Sequence, residues 1–152
     1  MRLSAKTDYA LRACAELGAS AGARPSNAEQ IAARQDIPLR FLKTILPELA
    51  KAGIVESRRG RSGGWVLAKP AGEISIADVI RAIDGPLATV AGVQPQELSY
   101  RGSARSYKEM WVAVRWNLRR VLETVTIADI ASGDLPEPVV VASNDSDAWA
   151  AR

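Results

Sequence analysis

Arg58, Arg59 and Arg61 crowd a stretch that also holds Gly60, Gly63 and Gly64. A guanidinium offers a planar fork of donors that fits phosphate oxygens, and glycines let the backbone beside it approach a ligand closely. The chemistry on offer is anion binding. Glycine-rich phosphate loops of nucleotide enzymes use the same residue types, but they follow a strand and lead into a helix N-terminus. Here Ile54-Val55-Glu56-Ser57-Arg58 and Gly64-Trp65-Val66-Leu67-Ala68 read as strands on either side, so the arginines belong to the tip of a β-hairpin. Such a tip suits phosphates or a narrow minor groove. Upstream, Arg40, Lys43 and Thr44 fall on the side of a helical stretch away from Leu39, Leu42, Ile45, Leu46 and Leu49. From a helix in the major groove they would reach base edges, and a bidentate arginine–guanine contact there discriminates by about 1–3 kcal/mol.

Other chemistries lack their parts. The chain has no histidine and a single cysteine, Cys14. Histidine-dependent triads, zinc sites, internal disulfides and multi-thiolate clusters lose their usual groups. No carboxylate pair lies beside a phosphate-cradling run. No catalytic residue, metal or cofactor is expected. Charge is divided unevenly: residues 1–72 hold 12 Lys and Arg against 6 Asp and Glu, whereas residues 73–152 hold 8 against 11. A basic half joined to an acidic half suggests a polyanion-binding module followed by something else. No apolar run approaches the ~18 residues of a membrane span, and residues 1–6 lack an apolar signal core. A cytoplasmic protein with no membrane partner is expected.

The elements that must position the cations can be read from periodicity. A first helix runs from about Ser4 to Gly18 with Ala10, Ala13, Cys14 and Leu17 on one face, which makes Cys14 a small core residue. Ser26 and Glu29 have capping-box spacing and predict a second helix from Ser26 to about Gln35. A third opens at Pro38 and terminates at Gly53. Pro47 lies inside it, so this helix either kinks near Thr44 or ends and restarts. Ser75, with Asp78 as capping partner, starts a fourth helix over Ile76–Asp84, whose core face is Ile76, Val79, Ile80 and Ile83. Residues 87–104 read as irregular loop. From about Ser106 to Thr124 a long helix carries Tyr107, Trp111, Val114, Leu118, Val121 and Val125 at alternating spacings of four and three, the spacing of a coiled-coil seam. From Pro136 onward no period survives, and a mobile tail is expected.

Two helices joined by a tight turn, followed by a hairpin with a basic tip, is the order of a winged helix-turn-helix. The fold class is therefore mainly α with a small β-hairpin: a winged domain over residues 1–86, a connecting loop over 87–105, a long dimerisation helix and its following segment over 106–132, and a tail over 133–152. Met1-Arg2-Leu3-Ser4-Ala5-Lys6-Thr7-Asp8-Tyr9-Ala10-Leu11-Arg12, Phe41-Leu42, Ala52 to Gly60, Gly63-Gly64-Trp65, Asp78-Val79-Ile80, Asp84-Gly85-Pro86-Leu87 and Thr126 to Ile130 together resemble the Rrf2 family, the IscR/NsrR/CymR type of bacterial regulator. The resemblance covers about residues 1–132.

What it implies is a homodimer, a repressor by expectation, on a pseudo-palindromic DNA operator, with the third helix in the major groove and the wing in the flanking minor groove. DNA contacts carry over by analogy to Ser4, Arg40, Lys43, Arg58, Arg59 and Arg61. Sensing members hold an iron–sulfur cluster on three cysteines between the fourth helix and the dimerisation helix. The matching stretch, Leu87 to Arg105, has none, and a cluster-free member is expected. A small-molecule effector could use the aromatic residues Tyr100, Tyr107, Trp111 and Trp116 near that position, although aromatic residues there also suit interface and core packing. The alternative to a regulator is a winged-helix protein-interaction module, since fold alone does not fix function.

Overall fold

The computed structural model describes residues 3–20 and 24–150. Helix α1 (Ala5–Ala19) starts where the Ser4 hydroxyl accepts the backbone N–H of Thr7 at 3.1 Å, and it buries Thr7, Ala10, Ala13, Cys14 and Leu17. Helix α2 (Ala28–Gln35) begins one residue later than the sequence spacing suggests. Asn27, not Ser26, supplies the capping box: Asn27 Oδ1 accepts from the Gln30 N–H at 2.8 Å, and Gln30 Oε1 accepts from the Asn27 N–H at 3.0 Å. Ser26 has another role. Its backbone N–H donates to the Trp65 carbonyl at 3.1 Å and its carbonyl accepts from the Trp65 N–H at 2.8 Å, which joins the approach to α2 onto the hairpin.

Asp36, in the left-handed region at φ 49°, turns the chain sharply before Pro38 caps helix α3 (Leu39–Lys51). Short acidic and amide side chains tolerate that conformation better than most. α3 buries Leu42, Ile45, Leu46 and Leu49, and it runs unbroken through Pro47, which stays on the exposed side. The helix therefore neither ends nor restarts there; Pro47 removes one internal N–H donor and no more of the helix. Gly53, at φ 71°, closes it as expected.

Strands β1 (Val55–Arg58) and β2 (Gly64–Leu67) pair antiparallel with Val55 opposite Leu67 and Arg58 opposite Gly64. Helix α4 (Ile76–Asp84) has the Ser75–Asp78 capping box that the sequence announces. The chain then leaves the winged core through two single-turn 3-10 helices, Pro95–Glu97 and Gly102–Ala104, and forms α5 (Tyr107–Leu122).

It also returns. The Ile76 N–H donates to the Val125 carbonyl and the Ile127 N–H to the Ile74 carbonyl, both at 2.9 Å, and a Thr126–Asp129 capping box starts α6 (Ile127–Ser132). Ile127 is fully buried, and a Cβ on Gly18 would stand 2.7 Å from its Cγ2. The segment after the long helix thus packs into the winged core, against α1. Val125 moves with it: it lies beyond the end of α5 and is only 5% exposed within its own subunit, so it is not available to a helix seam. The expected aperiodic tail instead contains helix α7 (Glu137–Asn144) and a 3-10 turn at Ser146–Trp149. Prolines at positions 136 and 138 suit the start of that helix.

Candidate nucleic-acid interface

The two halves of a helix-turn-helix must be fixed to each other before either can read DNA. Here polar ties do this around the apolar core. Lys6 Nζ lies 2.7 Å from both carboxylate oxygens of Glu48, linking α1 to α3. Glu16 accepts from Arg34 at 2.8 Å and from Gln35 at 2.9 Å, linking α1 to α2. Those bonds, Gln35 first and then Arg34, hold the Glu16 carboxyl below the usual range. None of these residues stood out in the sequence, because nothing local marks a tie between elements.

On α3, Arg40, Lys43 and Thr44 are exposed opposite the buried Leu42, Ile45, Leu46 and Leu49. Arg40 is steadied: its guanidinium lies 5.0 Å over the Phe41 ring, and Phe41 packs against Tyr9 of α1 with ring centroids 5.4 Å apart. A cation over an aromatic face gains roughly 0.5–1 kcal/mol at an exposed site. Thr44 spends its hydroxyl proton on the Phe41 carbonyl at 2.8 Å. It is left with a methyl group and an acceptor for any partner.

The wing tip is a tight turn closed by the Gly63 N–H donating to the Gly60 carbonyl at 2.9 Å, which sets Arg61 and Ser62 at its corner. Two glycines are sterically required. A Cβ on Gly63 would stand 2.2 Å from the Arg58 carbonyl oxygen, and one on Gly64, at φ 156°, would stand 2.7 Å from the Ser26 carbonyl oxygen. Arg58 Nε sits 3.4 Å from Glu56 Oε1 across an exposed pair, an interaction of small worth. Among the described residues Arg59 and Arg61 have no ion-pair or hydrogen-bond partner, and both are exposed. Two bare cations on a turn shaped by glycine form the site's most distinctive feature.

Ser4 is positioned differently. Its hydroxyl accepts from the Thr7 N–H and donates to Asp84 Oδ1 at 2.9 Å, and its backbone N–H donates to Asp84 Oδ2 at 3.3 Å. Partial burial works to raise the Asp84 carboxyl, yet hydrogen bonds from Thr7 and Ser4 and the charge of Lys6 outweigh it and leave the carboxyl below its usual range. A hydroxyl committed to an ionised carboxylate is a poor phosphate donor. Ser4 serves as a cap joining α1 to α4.

Along α5 no residue is buried. Met110, Val114 and Val121 are 41–45% exposed, and together with Ala113, Asn117, Leu118 and Leu122 they line an apolar groove. The expected seam residues Val114, Leu118 and Val121 thus share one face. Tyr107 instead pairs with Tyr100, ring centroids 5.8 Å apart, and Trp111 is half-buried. Arg115, one turn on, donates to Gln96 at 2.9 Å and to Gln94 at 3.3 Å, which fastens the connecting loop to the helix. Trp116 stands apart, 55% exposed, with Arg120 stacked 4.7 Å from its ring. Trp111 and Trp116 are five positions apart, about 140° around a helix. The four aromatic residues therefore do not converge on one pocket within a subunit.

Fold and site together define a winged helix-turn-helix protein. The sequence profile of the Rrf2 family, described as an iron-dependent transcriptional regulator, matches residues 3–133. The chain is 46% identical over 145 residues to a putative HTH-type transcriptional regulator of Mycobacterium tuberculosis, covering 95% of this chain and 90% of that one. It is 31% identical over 132 residues to the HTH-type transcriptional regulator CymR of Bacillus subtilis, covering 87% and 91%. Among solved structures, CymR, the global cysteine regulator of B. subtilis, superposes with a TM-score of 0.76 at 29% identity over 88% of this chain and 98% of that one. IscR of T. potens superposes with a TM-score of 0.68 at 26% identity over 100% and 93%. The chain belongs to the Rrf2 family; it is a DNA-binding transcriptional regulator.

The iron in the family's description does not fit the donor set of this chain. There is no histidine, and Cys14 is enclosed in the core, where burial pushes its thiol up to about 12. Among the described residues no group of three His, Cys, Asp or Glu side chains comes together to hold a metal. Nor, among them, is any helix long and apolar enough to cross a membrane.

Proposed function

We propose that this regulator acts as a homodimer on a pseudo-palindromic operator, without an iron–sulfur cluster and without catalysis, in the cytoplasm. α3 enters the major groove with Arg40, Lys43 and Thr44 toward base edges, and the wing tip brings Arg59 and Arg61 to the adjacent minor groove, with Arg58 at its base. Two copies join through the apolar face of α5, which would set the α3 helices about one turn of DNA apart, roughly 34–36 Å. Ser4 is not carried into this set, because its hydroxyl already serves Asp84.

The observation that supports this reading most directly is the pair of partnerless arginines at the wing tip, beside a recognition helix whose exposed side is cationic. Selection of genomic fragments by the purified protein supplies the operator. Anisotropy titrations of that operator then test the contacts. Arg59→Ala with Arg61→Ala should weaken binding and reduce the slope of log affinity against log salt by about 0.9 for each phosphate that is no longer neutralised. Arg40→Ala should relax the preference at one base pair by about 1–3 kcal/mol. An operator affinity unmoved by the wing pair would overturn the reading and favour a protein-docking module instead.

A further inference from the structure

A second cationic site lies behind the wing, in a cleft of about 280 Å³ between the end of α1 and the three segments that meet at β2. Arg24, from the approach to α2, Arg58, from the end of β1, and Lys69, just after β2, all line it, with the Ser20 and Ser26 residues beside them and Trp65 as part of its wall. These residues are distant in sequence and converge because Ser26 pairs with Trp65 through two backbone hydrogen bonds and Arg58 faces Gly64 in the hairpin register. Among the described residues no carboxylate lines the cleft. Arg24 and Lys69 have neither an ion pair nor a hydrogen bond among the described residues, and both are exposed. Glu56, the partner of Arg58, is outside the lining.

Three cations and hydroxyl-bearing residues around a concave wall, of which only Arg58 has an acidic partner and that partner, Glu56, is outside the lining, form a site for a tetrahedral oxyanion. Gathering like charges is unfavourable unless an anion joins them. We infer that this cleft holds a backbone phosphate of the bound duplex, one that the wing tip does not reach, so that the footprint extends from Arg59 and Arg61 around to Arg24 and Lys69. The assignment rests on the proposed wing reading, since Arg58 belongs to both the wing and the cleft. A phosphate held here fixes the register of the wing on the duplex and carries no sequence information.

The test uses the full chain, a labelled random-sequence duplex and anisotropy across a range of salt. Arg24→Gln and Lys69→Gln should each lower the salt slope by about 0.9, so that the gap from the parent widens about eightfold for every tenfold dilution of salt. Lys69→Arg keeps the charge and should keep the parent's slope, and circular dichroism confirms that each variant is folded. Unchanged slopes in both glutamine variants, while Arg59→Ala with Arg61→Ala still weakens binding, overturn the cleft and leave the wing standing. If the wing pair too has no effect, both assignments fall. Calorimetric titration with inorganic phosphate separates the two sources of the anion: binding that Arg24→Gln and Lys69→Gln abolish, with the DNA slope intact, makes the cleft a free-phosphate site and overturns the proposal.

Discussion

Helices α4 and α5 both carry abundant apolar side chains and meet opposite fates. α4 buries Ala77, Val79 and Ile80 in nine residues. α5, with sixteen residues, buries none, and leaves Met110, Val114, Trp116 and Val121 each more than 40% exposed. An apolar helical face without a partner in its own chain marks a surface meant for another molecule. The winged half is complete within one subunit, including α6 after the chain returns. Among the described residues nothing buries the apolar face of the long helix, which is the physical ground for proposing a second copy against it.

The sharpest way to break this division is to cut into each side separately. Leu46, 1% exposed in the winged core, should cost about 2–5 kcal/mol when replaced by alanine, read as a lowered chemical-denaturation midpoint. Val114→Glu with Val121→Glu should leave subunit stability within about 0.5 kcal/mol, as surface substitutions usually do. The same pair should raise the dimer dissociation constant on the order of a hundredfold, at about 1.4 kcal/mol per decade, measured by sedimentation across a concentration series. If the glutamate pair unfolded the subunit, or the parent sedimented as a monomer, the two halves would not differ in the way described. A third cut falls between them: Gly64→Ala places a Cβ against the Ser26 carbonyl and should cost about 1–3 kcal/mol through backbone strain, loosening the wing from α2. A parent-like denaturation midpoint for that variant would show that the wing and α2 do not depend on this close approach.

What could be read from the sequence follows the same line between local and distant causes. The bounds of α4 were legible to the residue because its start and stop are both encoded within eleven positions, from Ser75 to Gly85, whereas its buried face is Ala77, Val79 and Ile80, with the expected Ile76 and Ile83 only half-buried. The wing was legible because glycine spacing and flanking β-formers are local too. The start of α2 was not. Ser26 with Glu29 and Asn27 with Gln30 offer the same spacing, and the choice falls to Asn27 because Trp65, far along the chain, claims the backbone of Ser26. Val125 continues the four-and-three rhythm of α5, yet the pairing of Ile74 with Ile127 draws it into the core. The Thr126–Asp129 capping box was a local sign that a new helix begins there. Arg24 and Lys69 carried no signal at all, since only the folded hairpin brings them together.

The smallest expected effect tests where the two halves are fastened. Glu123, just past α5, accepts a hydrogen bond from Arg119 at 2.9 Å and another from Arg81 of α4, so it ties the long helix to the winged core. Those two bonds, Arg119 first, hold its carboxyl down to about 2 from an ordinary value of 4.5. A carboxyl lowered on folding stabilises the native state fully above its unfolded value and loses that contribution as pH falls through the folded one. The window is therefore pH 4.5 down to about 2. Because the carboxylate is at the surface, the contribution is about 1 kcal/mol or less. In denaturant melts Glu123→Gln should be slightly less stable than the parent at neutral pH, and the gap should close across that window as the parent's carboxylate is protonated. A gap that persists unchanged at pH 2 would mean that the charge of Glu123 does not fasten α5 to α4, and that the connection rests on packing alone.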